Sequence, residues 1–251
     1  MKYPLAIMDY GIGGMGLVAL IKSRNPGLPL LYFSDSGAVP YGKLNASALR
    51  SRVDRVIDFL YQQGAEHVVI ACHSASSVVT SKERLTGIRE LTVSNIQEDR
   101  KKSIGIIGGG RTIRARYYQK ELKKISREVH QRIAQPLSMF IERGEVDSEE
   151  LRNTLRVILD PIRNVDRLLL ACTHYPAIID LIREMMKEGC ELIDPVEAIN
   201  EELSTYLSEH VNTHGPDQFY TSGDPALMQE AAKLAFRVRF DQVSQVKLPW
   251  P

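Results

Sequence analysis

The sequence predicts an α/β protein of two similar parallel-sheet domains, related by pseudo-symmetry, with the active site in the cleft between them. Three observations predict this. Short runs rich in Val, Ile and Leu alternate with longer amphipathic segments, as buried parallel strands alternate with the helices that cover them. The runs repeat: those starting at 5 and 104, and at 30 and 129, are 99 residues apart, while those at 68 and 168, and at 91 and 191, are 100 apart. A length of 251 residues suffices for one large domain or for two smaller ones sharing a cleft.

Taken in order, strands are expected at 5–9, 30–33, 68–72 and 91–94 in the first half, and at 104–108, 129–134, 168–172 and 191–194 in the second. Helices fall between them. In the 46–63 segment Leu49, Val53, Val56, Ile57 and Leu60 share one face, with Arg50, Arg52, Arg55 and Asp58 largely outside that stripe. From about 208 the chain is less regular, and HVNTHGPDQFYTSGDP is rich in turn formers. A strand over Gln218–Thr221 and a helix over Pro225–Phe236 are expected there, packing back on the first half. The domains are therefore read as 1–95 plus 208–251, and 96–207. If the halves face each other, corresponding strand ends converge where open parallel sheets bind ligands.

Composition narrows the partners. Lys and Arg total 32 against 31 Asp and Glu, a net charge of +1, which offers no field for nucleic acid and no polybasic membrane anchor. A small-molecule partner fits better. No apolar run approaches the roughly 18–20 residues of a membrane span. The N-terminal run breaks at Asp9 and Gly11, too early for a signal-peptide core, so a cytoplasmic protein is expected. Cys72, Cys172 and Cys190 lack CxxC or Cys/His zinc spacing, so free thiols and no metal are expected.

Two thiols carry the chemistry. Cys72 ends VVIAC and Cys172 ends LLLAC, at equivalent points of the repeat, followed by His73-Ser74 and Thr173-His174. A single Cys closing an apolar strand is ordinarily inert, and pairing is what changes the reading. Removing the α-proton of an amino acid without a cofactor requires a base on one face, a proton donor on the other and a polar pocket shielded from water. A Cys with a reference pKa near ~8.5 can be tuned to either protonation state by a neighbouring carboxylate or imidazole.

Six segments then fall in a familiar order: DYGIGGMG from Asp9, YFSDSGAVPYG from Tyr32, VVIACHSAS from Val68, IGIIGGGRTI from Ile104, ACTHYP from Ala171 and FYTSGDP from Phe219. Together they resemble the signature segments of glutamate racemases, in the aspartate/glutamate racemase superfamily, across nearly the whole chain. The resemblance implies a cofactor-independent amino-acid racemase, with neither pyridoxal phosphate nor metal, that interconverts L- and D-glutamate for peptidoglycan. It implies Cys72 and Cys172 as the acid/bases, with Asp9 beside the first and His174 beside the second. It further implies substrate contacts from Pro40, Tyr41 and Gly42, from Ser74 and Thr173, and from Thr112. A homodimer stays open.

Three departures matter, and the first two fall around the substrate. The family commonly has Ser where this chain has Tyr10, Asn-Thr where it has His73-Ser74, and a threonine after the first glycine of Gly108-Gly109-Gly110. A ring at Tyr10 should reshape the pocket unless it swings away. His73 would bind a carboxylate when protonated. Other readings stay open: a racemase or isomerase of the same superfamily acting on aspartate or another small acid, or a non-catalytic ligand-binding relative. Gly11, Gly13 and Gly16 also match a dinucleotide-binding fingerprint, but Asp9 and Tyr10 would set a carboxylate and a ring beside the pyrophosphate, so tight packing of a βα turn is preferred. For Asp35, turn capping and catalysis weigh about equally.

Overall fold

In the computed structural model, residues 2–210 and 213–249 are described; of the irregular tail, Val211 and Asn212 lie outside them. Ten strands, β1 (Tyr3–Asp9), β2 (Leu30–Ser34), β3 (Ala65–Ile70), β4 (Leu85–Gly87), β5 (Asp99–Gly108), β6 (Ser126–Ile133), β7 (Arg167–Ala171), β8 (Glu191–Ile193), β9 (Gln218–Thr221) and β10 (Val243–Gln245), form two sheets among the described residues. The first has the order β10-β9-β2-β1-β3-β4 and the second β6-β5-β7-β8. Every pairing within them is parallel. The order β2-β1-β3-β4 maps onto β6-β5-β7-β8 strand for strand, which is the pseudo-symmetry the repeat predicts. In each sheet the strand order reverses at the first strand, and ligands bind at such switch points.

Apolar continuity makes the central strands. All seven residues of β1 and all five of β7 are buried, as expected for strands covered on both faces. The largest core cluster includes Ile12, Met15 and Leu17 from the first half together with Leu137, Phe140, Tyr175 and Ile178 from the second. As expected, Gln218–Thr221 and the helix Pro225–Phe236 return to the first half, β9 pairing with β2. That helix opens on Asp224, whose carboxylate accepts from the backbone of Ala226 and Leu227.

Two expectations are overturned. The segment 91–94 is not a strand; it ends the helix Ile88–Ser94, and the strand lies earlier, at β4. The run Leu-Thr-Val-Ser has strand-like composition, but Ile88 and Thr92 bury one helical face and the Thr92 hydroxyl donates to the Ile88 carbonyl at 2.7 Å. The fourth pair of the repeat therefore starts at Leu85 and Glu191 rather than at a spacing of 100. Arg52, expected outside the apolar stripe of the helix Ala46–Gln62, is only 2% exposed. Its Nε and Nη2 clasp both oxygens of fully buried Asp35, at 2.8 and 2.5 Å. Asp35 also accepts from the hydroxyls of Tyr41 at 2.7 Å and Ser222 at 2.8 Å. Its four hydrogen bonds make it a staple between the Tyr41 turn and the C-terminal segment.

Candidate active site

Cys72 follows β3 by two residues and N-caps the short helix His73–Ser76, while Cys172 follows the equivalent strand β7 directly. Cys72 is buried. Burial first, then the negative charges of Asp9 and Cys172, push its thiol well above the ordinary range, against hydrogen bonds from the backbone of Ala75 and Ser74. The two sulfurs thus lie close enough for charge on one to bear on the other. Cys72 is held as a thiol.

The second thiol has different neighbours. Cys172 is half-buried, with its Sγ 3.5 Å from His174 Nδ1. His174 Nε2 pairs with Glu142 Oε1, and the same oxygen accepts the Ile12 backbone N–H at 2.8 Å. Burial alone would push the imidazole down, but the charges of Glu142 and Cys172 and hydrogen bonds to both outweigh it and hold His174 protonated well above its ordinary 6.5. Both ring nitrogens are then donors, one toward the sulfur and one toward Glu142.

Asp9, at the end of β1, completes the first side. Its Oδ2 accepts from the Thr173 hydroxyl at 2.7 Å and its Oδ1 from the Tyr10 backbone N–H at 2.6 Å. Burial raises its pKa, opposed by His174 and these two donors.

The glycine loop explains how the halves approach so closely. A Cβ on Gly11 would sit 1.7 Å from Glu142 Oε1, and one on Gly13 would sit 2.3 Å from Thr173 Oγ1 and 2.7 Å from His174 Nδ1. Side chains of the second half occupy the space beside these glycines, so the loop serves as a packing surface. The resulting constellation, a protonated thiol with a carboxylate on one side and a thiol with an imidazolium on the other, is suited to moving protons on two faces of one small molecule.

Comparison with known proteins gives the family of the chain. Residues 16–203 match the model of the Asp/Glu/Hydantoin racemase family. The chain belongs to that family. Glutamate racemase 3 of Caldanaerobacter subterraneus is 30% identical over 247 residues, covering 92% of this chain and 90% of the relative. A glutamate racemase of Pseudomonas entomophila is also 30% identical, covering 88% and 89%. Among solved structures, a glutamate racemase isoform from Bacillus anthracis superposes with a TM-score of 0.85 at 24% identity, covering 99% of both chains. The Francisella tularensis glutamate racemase in complex with D-glutamate gives 0.84 at 22% identity, covering 98% of both. At these identities the superpositions show the fold.

Within this racemase-family chain the remaining predicted positions divide. Pro40 and Gly42 are exposed on the loop, whereas Tyr41 is buried with its hydroxyl committed to Asp35. Ser74 is half-buried and Thr112 buried, and neither side-chain hydroxyl has a partner among the described residues. The Thr173 hydroxyl is spent on Asp9. Tyr10 is partly buried; its ring meets Tyr41 edge-on at 5.0 Å and its hydroxyl donates to the Ala38 carbonyl at 3.3 Å. Burial first, then the charges of Glu142, Asp35 and Cys72, raise the Tyr10 hydroxyl to about 12.

His73 corrects an expectation. Burial pushes its pKa down to about 3, so it is neutral and presents no cation to a carboxylate. Its Nδ1 is 2.6 Å from the Tyr118 hydroxyl across the two halves, and its Nε2 is buried without a partner among the described residues. Tyr118, buried and raised well above its ordinary range, keeps its proton. Sequence reasoning missed Glu142 and Tyr118. Glu142 ends the helix Gln135–Glu142 with no neighbouring motif, and only its reach to a backbone N–H 130 residues away reveals it.

Proposed function

We propose that this chain racemises glutamate at the α-carbon without a cofactor, with Cys72 and Cys172 as the two acid/bases. The observation that carries the reading is the placement of two thiols after equivalent strands, each beside its own charged partner. Cys72, kept protonated by burial and Asp9, delivers a proton to one face. Cys172 acts as the thiolate that the imidazolium of His174 complements, takes the proton from the other face and becomes a neutral thiol. The reverse reaction exchanges the roles. The halves are taken as 1–95 plus 208–251 and 96–207, with substrate between them, touched by Tyr10, the Pro40–Gly42 loop, His73, Ser74, Thr112 and Thr173. Relatives named as glutamate racemases, and a related fold that binds D-glutamate, support glutamate as substrate. D-glutamate would supply peptidoglycan synthesis in the cytoplasm.

A second reading, a smaller amino acid as preferred substrate, is favoured by the bulk of the Tyr10 ring, packed edge-on against Tyr41 of the Pro40–Gly42 loop. Circular dichroism of L- and D-amino acids, with α-proton exchange in deuterated water, tests both. Glutamate should racemise and exchange, and Cys72→Ala and Cys172→Ala should each abolish racemisation. No exchange with any amino acid sinks the racemase reading, and unaffected exchange in both variants sinks the two-thiol mechanism. Higher glutamate turnover in Tyr10→Ser combined with His73→Asn shows a native pocket tuned to another substrate.

A further inference from the structure

Arg111 is a cation at the junction of the halves with no acid beside it among the described residues. It belongs to the short helix Gly110–Arg114, next to Thr112, and its side chain crosses to the first half. Nη1 donates to the Leu44 carbonyl at 2.8 Å and Nε to the Ser77 hydroxyl at 3.2 Å. Both acceptors are neutral. Leu44 closes the turn Tyr41–Lys43, and Ser77 closes the helix that Cys72 opens. The guanidinium therefore sits where the Pro40–Gly42 loop, the Cys72 helix and the Thr112 turn meet, the three segments read as substrate-lining.

Its donors are only partly used. A guanidinium offers five N–H groups, and two of those of Arg111 find protein acceptors among the described residues. The contrast with Arg52 is direct, since that guanidinium closes on Asp35 and on the Leu248 carbonyl. The other cation of the site, His174, is committed to Glu142. The wall next to Arg111 is also altered. A Cβ on Gly109 would lie 3.0 Å from Gln135 Oε1, so the threonine common there in relatives is replaced by bare backbone and an amide, and its hydroxyl is missing. Burial lowers the Arg111 pKa with no carboxylate to offset it, as for a half-buried charge awaiting an anion.

We propose that Arg111 is a specificity-determining residue that takes the distal carboxylate of an amino-dicarboxylate substrate through its free guanidinium donors. The substrate class rests on the racemase reading; binding of the anion does not. Calorimetry of glutarate, a dicarboxylate that cannot be racemised, tests the anion site, and KM values for α-proton exchange of L-glutamate and L-glutamine test specificity.

Arg111→Gln should weaken glutarate and raise the glutamate KM by roughly 10- to 100-fold, the cost of one charge-assisted hydrogen bond. Its glutamine KM should stay within about threefold, and Arg111→Lys should recover part of the loss. Because the change also removes two bonds between the halves, Ser77→Ala, which cuts one of them and keeps the cation, should preserve the preference for glutamate over glutamine. Equal weakening of glutamate and glutamine in Arg111→Gln, or loss of the preference in Ser77→Ala, makes Arg111 a latch and overturns the proposal. So does glutarate that fails to bind the wild type or binds Arg111→Gln equally well. If wild type exchanges no amino acid, the racemase reading fails separately, and glutarate binding still decides the role of Arg111.

Discussion

Lowering the pH should destabilise this protein through His73, by an amount that can be worked from its burial. The ring sits with a pKa of about 3, against 6.5 for an exposed imidazole. Below 6.5 the unfolded chain binds a proton that the folded state refuses, so stability falls as the pH falls and goes on falling down to about 3. At pH 5 the unfolded-state pKa lies about 1.5 units above the solution pH, which at 1.36 kcal/mol per unit costs about 2 kcal/mol relative to pH 7. Other groups titrate in the same window, so the assay is a difference. Urea unfolding of wild type and His73→Asn at pH 7 and pH 5 should show wild type losing about 2 kcal/mol more than the variant over that interval. His73→Asn also gives up the bond to Tyr118, which shifts its stability at both pH values alike and cancels. Identical pH dependence in the two proteins would refute the argument, because it would mean that the folded ring accepts a proton.

Three further predictions follow from the site and its supports. Glu142→Gln removes the charge that holds His174 protonated, so kcat for glutamate racemisation should fall on the order of 10–100-fold and the alkaline limb of its pH profile should move to lower pH; an unmoved limb would detach Glu142 from His174. Arg52→Met leaves the Asp35 carboxylate buried without its partner and should cost about 3–5 kcal/mol in urea unfolding, with much of that recovered in Arg52→Met combined with Asp35→Asn. Gly13→Ala drives a methyl into Thr173 and His174, so differential scanning should show a destabilisation of about 1–3 kcal/mol while racemisation falls; full activity would mean that the halves can separate without penalty.

The legible parts of the fold were those written in local pattern. Strands β1 and β7 carry apolar runs over 5–8 and 168–171, and Cys72 and Cys172 close equivalent runs, so both thiols could be found without contacts. Leu91–Ser94 misleads because its branched residues suit a strand, whereas the packing of Ile88 and Thr92 makes it a helix. Arg52 misleads because helical periodicity sends charges outward; the carboxylate that draws it in is braced by Ser222, 187 residues away from Asp35 in sequence. Glu142 was illegible for the same reason. Its partners His174 and Ile12 come from other strand ends, and no spacing along the chain announces their meeting.

The bonds that arm each thiol cross between the halves. Asp9, beside Cys72, is held by Thr173 from the opposite half, and Glu142, behind His174 and Cys172, is held by the Ile12 N–H of the first. Any movement that parts the halves to admit or release an amino acid breaks both supports together. Parting the halves would thus loosen the charged neighbours of both thiols in one step. Each half keeps its own thiol and charged neighbours, but a split protein would lack these cross-supports until its two pieces reassemble.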